Sequence, residues 1–118
     1  MPQPALPPES PLFSRLFDLL LWLTLRTEKF PRSQRFLLAS RLMNSAFACH
    51  QQLIRARKVI GSARAEALLQ ADIQLETLRL QLRLAHELHC LTTAQYEHGA
   101  GVINEVGKLL GSWRNKDN

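Results

Sequence analysis

His86, His89 and Cys90 fall within five residues of one another, and His98 follows eight residues after Cys90. Imidazole and thiolate are the ligands zinc prefers, so this is the place for a metal if the chain holds one. The spacing matches no recognised zinc motif. On a helix His86 falls near a polar edge and His89 on an apolar stripe, so the two rings diverge. No metal is expected. His50 lies in an apolar arc and reads as a core histidine. Asp72 and Glu76 could chelate a cation from one helical face, but Arg79 stands three residues past Glu76, where an ion pair forms readily. Ser33 reads as a helix cap, and Cys49 and Cys90 as small core fillers rather than nucleophiles. The chain has no glycine-rich phosphate loop and no HExxH. The expectation is a protein that is not an enzyme and carries no cofactor.

The basic residues are more informative. Fifteen Lys and Arg face ten Asp and Glu, a net charge of +5, which favours polyanions such as nucleic acid. Arg26, Lys29, Arg32, Arg35 and Arg41 gather near position 30, opposed only by Glu28. Arg55, Arg57, Lys58 and Arg64 flank position 60, with no acid until Glu66. Arg114 and Lys116 should approach that same end. Arg79 and Arg83 make a third pair. Such cations suit phosphate contact, which supplies affinity with little base readout. No row of aromatics for stacking bases is evident in the sequence.

Four helical patterns must position these residues. Residues 1–9 are Pro-rich and read as an extended arm. A first helix is expected from Ser10 to Glu28, with Ser10 as cap and Pro11 at the first position. It is apolar nearly all round, so it should be covered from more than one direction. Pro31 lacks an amide hydrogen and pushes Phe30 out of helical space, which ends that helix. A second helix is expected from Ser33 to Ile60. One apolar stripe holds Phe36, Ala39, Met43, Phe47, His50 and Ile54, and an adjoining one holds Leu38, Leu42, Cys49, Leu53 and Ile60. Gly61 should close it and Ser62 cap the next. A third helix is expected from Ser62 to His89 and a fourth from Thr93 to Ser112, with Thr92 and Gln95 at capping-box spacing. Gly107 suggests a close helix approach and Gly111 an end. Residues 114–118 read as a polar tail. Short connections imply an all-α, antiparallel up-down-up-down four-helix bundle over residues 10–113.

The third helix contains a run, Leu78 to Leu84, that alternates as a strand would. Its apolar residues are Leu, with no β-branched residue, and no turn residue bounds it, so helix is the better reading. As a helix it presents two stripes. Leu75, Leu78, Leu82, Ala85 and His89 form one, and Leu69, Ile73, Leu80, Leu84 and Leu88 the other. One bundle core absorbs one of them. The second, with Ile73, Leu80, Leu84 and Leu88, is expected to face a neighbouring subunit.

The corner EKFPRSQRF (residues 28–36) is similar to that of the accessory variability determinant proteins of diversity-generating retroelements. The resemblance extends to Phe17-Asp18-Leu19-Leu20-Leu21-Trp22-Leu23, to Ala71-Asp72-Ile73 with Leu78-Arg79 and Leu82-Arg83-Leu84-Ala85, and to Gln95-Tyr96-Glu97-His98, Glu105 through Gly111 and Trp113. It implies a homopentameric ring of four-helix bundles that binds RNA or DNA and contacts the retroelement reverse transcriptase. It also implies a binding role for Arg79 and Arg83. The four-helix proteins encoded in intervening sequences of large-subunit ribosomal RNA genes are similar in fold; the RSQRF portion and the Gly-Ser-Trp ending resemble the retroelement branch more.

Two functional expectations lead, ahead of a third, a small metal- or ligand-binding helical protein that uses His86, His89 and Cys90. One is a non-catalytic accessory protein that binds nucleic acid and a reverse transcriptase. The other is an oligomeric scaffold whose charges serve solubility. The run from Leu16 to Leu25 is too short to span a bilayer, which needs about 20 residues, and no leader pattern opens the chain, so the cytoplasm is expected.

Overall fold

The structure is a computed structural model that describes residues 10–117; the Pro-rich arm expected at 1–9 lies outside the described residues. Helix α1 is Pro11–Thr27. A helical turn Arg32–Gln34, a π-helical segment Arg35–Ala39 and an α-helix Ser40–Lys58 follow one another as α2 (residues 32–58). Helix α3 is Gly61–Glu87 and α4 is Thr93–Asp117. Both α1 and α3 pack on α2 and on α4, and the α2–α3 seam is the most extensive. The chain is thus an all-α, up-down-up-down four-helix bundle, with α1 and α3 at opposite corners.

Leucines build the core. Leu16, Leu19 and Leu23 of α1 meet Leu42 and Leu53 of α2, Leu75, Leu78 and Leu82 of α3, and Ile103, Val106 and Leu110 of α4, all buried. Each such side chain contributes about 1.5–3 kcal/mol when fully removed from water. The alternating run of α3 is helical, with Leu78 and Leu82 inside and Leu80 and Leu84 outside. The stripes expected for α2 divide differently. Leu38, Leu42, Cys49 and Leu53 are buried, whereas Phe36 and Phe47 of the other stripe are exposed, as is Ile60. An i→i+5 π turn takes up more chain per revolution, so Arg35–Ala39 rotates Phe36 out of register with Met43.

The helix ends also depart from expectation. Pro11 is the first residue of α1 and Ser10 sits in the cap position, but its hydroxyl makes no cap bond and is buried without a partner. Ser33 is no cap; the helix opens at Arg32 with Pro31 before it. Phe30, buried beside Pro31, anchors the corner, and its amide donates to the Thr27 carbonyl. Helix α2 stops at Lys58, and Val59 and Ile60 are extended. Gly61, with φ +61°, opens α3 rather than closing α2, a left-handed turn that glycine makes freely. Helix α3 ends in a Schellman motif: the Cys90 amide donates to Ala85 and the His89 amide to His86, with His89 at φ 61°. The Thr92–Gln95 capping box is present, each donating its amide to the other's side chain. Helix α4 runs through Gly111 to Asp117, so residues 114–117 are helix and not tail.

The close helix approach lies at Gly99 and not at Gly107. A β-carbon at Gly99 would stand 2.6 Å from the Trp22 ring and 3.0 Å from Leu82 Cδ2. The His98 ring also lies against Trp22, at 5.6 Å, so the indole is hemmed in. At Gly107 the nearest atoms are 3.5 Å away or more, an ordinary contact. Gly99→Ala is therefore expected to destabilise the fold by about 1–3 kcal/mol. Gly107→Ala should be neutral or stabilising by up to about 1 kcal/mol through helix propensity. Urea unfolding of the two variants followed by circular dichroism checks both; equal effects would place the close approach elsewhere.

Candidate nucleic-acid interface

The cations picked out in the sequence fall into three structural groups. Arg64 stands apart, because it is only 2% exposed. It sits in the first turn of α3, where its side chain folds under the end of α2. Its Nε donates to the carbonyls of Ala56 and Val59, both at 2.9 Å, and Nη1 lies 3.5 Å from Asp117 Oδ1. The Trp113 ring covers the guanidinium, 6.0 Å from its centroid. Arg64 is a structural tie and no surface contact, which corrects its place among the binding residues.

Arg57 and Arg79 are committed in part to neighbours. The Arg57 guanidinium lies 4.8 Å above the Phe13 ring. Together with Phe17, His50 and Ile54 it lines a groove of about 500 Å³ between α1 and α2. Burial, and then the Arg57 charge, pull the His50 imidazole below its ordinary pKa. His50 meets Phe13 edge-on and is half-buried, so it borders the groove rather than the core. Arg79 bonds Glu76 at 2.6 Å, the expected pair, and reaches Asn104 of α4 at 3.3 Å. Asp72 is held by Arg114 instead, at 3.1 Å.

Lys29, Arg32, Arg35, Arg55, Lys58 and Arg83 are exposed. Arg35 donates to the Glu28 carbonyl at 3.4 Å across the corner. Arg83 and Arg79 line a groove of about 610 Å³ between α3 and α4, together with Ile73, Leu80 and Tyr96. This groove joins residues to which the sequence assigns separate roles, phosphate contact and subunit contact. The stripe expected to face a neighbour is indeed uncovered in one chain: Ile73, Leu80, Leu84 and Leu88 are each 44% exposed or more. At the opposite corner α1 leaves Phe17, Leu21 and Leu25 uncovered.

The charge is also unevenly divided along the chain. Residues 29–65 hold eight Lys and Arg and no Asp or Glu, while the rest of the chain holds seven against ten. The positive charge is therefore concentrated on α2 and its flanking turns, and the remainder is net acidic. Arg41 is exposed midway along α2, between the corner cluster and Arg55. The signal is the absence of acids over a long span, which counting cations around each turn hides.

The histidine and cysteine set does not converge. The His86 ring stacks on Tyr96 at 4.8 Å and bonds Thr93 at 3.2 Å, and His89 is exposed in the turn. Among the described residues no three metal-ligating side chains gather. Burial, with the Asp72 carboxylate second, pushes the Cys49 thiol up to about 12, so it is no nucleophile near neutrality. Among the described residues no helix is long and apolar enough to cross a membrane.

The bAvd-like family model matches residues 12–117. Among solved structures the chain is similar to a protein of unknown function from the S23 ribosomal protein family of Bacteroides thetaiotaomicron. The TM-score is 0.79 at 16% identity, over 88% of this chain and 95% of that one. No curated protein matches. At that identity the structural likeness speaks for the fold.

Arg64→Ala is expected to destabilise the protein by about 2–4 kcal/mol, because it strands buried carbonyls and the Asp117 carboxylate. Arg55→Ala, on the surface, should stay within about 0.5 kcal/mol. Thermal unfolding distinguishes the two; similar midpoints would show that Arg64 ties nothing together.

Proposed function

The chain belongs to the bAvd-like family, and we propose that it is a non-catalytic accessory protein of a diversity-generating retroelement, binding RNA or DNA and the element's reverse transcriptase in the cytoplasm. The observation that carries the nucleic-acid reading is the acid-free span 29–65, which gives α2 a one-signed field along its length. Lys29, Arg32 and Arg35 at one end, and Arg55, Arg57 and Lys58 at the other, would contact phosphates. Arg79 and Arg83 would add contacts from the α3–α4 groove. The reverse transcriptase as partner follows from family membership alone.

Self-association is part of the same proposal. Two different apolar stripes stand at opposite corners, Phe17, Leu21 and Leu25 on α1 and Ile73, Leu80, Leu84 and Leu88 on α3. A two-fold dimer would bury one stripe twice and leave the other wet. Packing α1 of one subunit on α3 of the next covers both and propagates head to tail until a ring closes. Five subunits is the number that the family resemblance implies. Such a ring would repeat each α2 around its circumference and multiply the field.

Three outcomes are expected. Wild-type affinity for RNA should fall by about 10³-fold or more between 50 and 200 mM salt if roughly six phosphates are engaged. Arg79→Glu with Arg83→Glu should weaken binding at least tenfold (about 1.4 kcal/mol) with the helical spectrum unchanged. Leu80→Glu with Leu84→Glu should reduce the light-scattering mass to that of one chain. A ring that ignores both RNA and DNA would leave the scaffold reading. Persistent multimers in the leucine variant would refute the α1–α3 contact.

A further inference from the structure

Phe36 is the most exposed large apolar side chain among the described residues, at 84%, and Leu37 beside it is 61% exposed. An isolated exposed leucine needs no explanation, but a phenylalanine this bare leaves a large apolar surface in water. Its position is set by backbone geometry. The π-helical segment Arg35–Ala39 turns Leu38 and Ala39 into the core and leaves Phe36 and Leu37 on the outside. Single π turns in otherwise regular helices recur at functional sites.

The surroundings say what kind of partner fits. Lys29, Arg32 and Arg35 are all exposed and lie within seven residues of Phe36 along the corner. The cores of protein interfaces are depleted in charge, and a segment with three exposed like charges makes a poor apolar contact. The stripes offered for self-association lie on α1 and α3. An accessible π-face on a segment rich in exposed cations is what single-stranded nucleic acid needs: the base stacks on the ring and the flanking phosphates meet Lys or Arg. Paired bases in a duplex have no free face to offer.

We infer that Phe36 is a stacking platform for an unpaired base, with Lys29, Arg32 and Arg35 holding the adjacent phosphates. The inference rests on the nucleic-acid reading above and adds to it a preference for unpaired segments. It assigns the corner a task distinct from the rest of α2, whose cations would grip backbone of any kind.

The test is fluorescence anisotropy of the full chain with a short labelled single-stranded RNA and with the same sequence annealed as a duplex. Phe36→Ala and Phe36→Leu are expected to weaken single-strand binding about 5- to 100-fold and leave duplex binding within about twofold. Phe36→Trp should retain affinity, and its added indole emission should be quenched by the single strand. The salt dependence should stay the same in all three, because the phosphate contacts remain. Equal losses on single strand and duplex, or no loss in Phe36→Ala, would overturn the platform while leaving nucleic-acid binding intact. So would a drop in light-scattering mass for Phe36→Ala, which would make Phe36 a subunit contact. Wild-type protein that binds neither RNA form would end this inference together with the reading beneath it.

Discussion

Arg64, the one buried cation among the described residues, ties together one end of the bundle. Arg64 offers a rigid fork of donors, and the fold places acceptors around it: the carbonyls of Ala56 in the last turn of α2 and of Val59 just past it, the Asp117 carboxylate and the face of Trp113. Left unpaired in the interior, such a charge would cost several kcal/mol. Paired, it fixes three helices at one end. The carbonyls of Ala56 and Val59 set where α2 may stop, the position of Arg64 sets the register of α3 against it, and Asp117 draws the last turn of α4 alongside. The charge also sits at the negative end of the α2 dipole, where it is welcome. The extension of α4 past Gly111 has the same origin, with the buried Trp113 and the Arg114–Asp72 bridge holding the final turns.

Helix α2 carries the opposite bargain. Without an acid in its length it forms none of the i, i+4 ion pairs that steady an isolated helix. Its cations repel one another. Its helicity must therefore come from packing, which explains why its buried side is so regular: Leu42, Ala46, Cys49, Leu53 and Ala56 are all fully enclosed. The most extensive helix–helix seam of the molecule lies against this helix. A strong field on one surface is tolerated because the other surface is bound tightly.

The sequence made the architecture legible and left the details of the ends hidden. Leucine periodicity is a sum over many positions, so the four helices and the two stripes of α3 could be read directly. The Thr92–Gln95 box was legible because both partners lie within one turn. Three things were not. The π turn at Arg35–Ala39 has no periodic signature and shifted the reading of Phe36. The Schellman motif uses His89 where glycine is usual, so nothing marked it. Arg64 looks in the sequence like any other turn cation; only the convergence of distant elements reveals that it is enclosed. Of the proposed contacts, the exposure of Lys29, Arg32, Arg35, Arg55, Lys58 and Arg83 agrees with a surface role, while Arg57 and Arg79 divide their attention between solvent and neighbours.

The notch at Gly99 has a kinetic meaning. Three of the four main seams join helices that follow one another in the chain, and such local pairings close quickly. The seam between α1 and α4 joins the first helix to the last, so it must gather the ends of the whole chain at once. The Trp22 ring seated against Gly99 is a close contact on that seam. It closes the one main seam whose partners lie far apart in the chain, the kind of pairing that costs most to close. A subunit contact made through α1 would then be presented on a helix held in place by the far end of the same chain, so it would report that both ends of the bundle are packed.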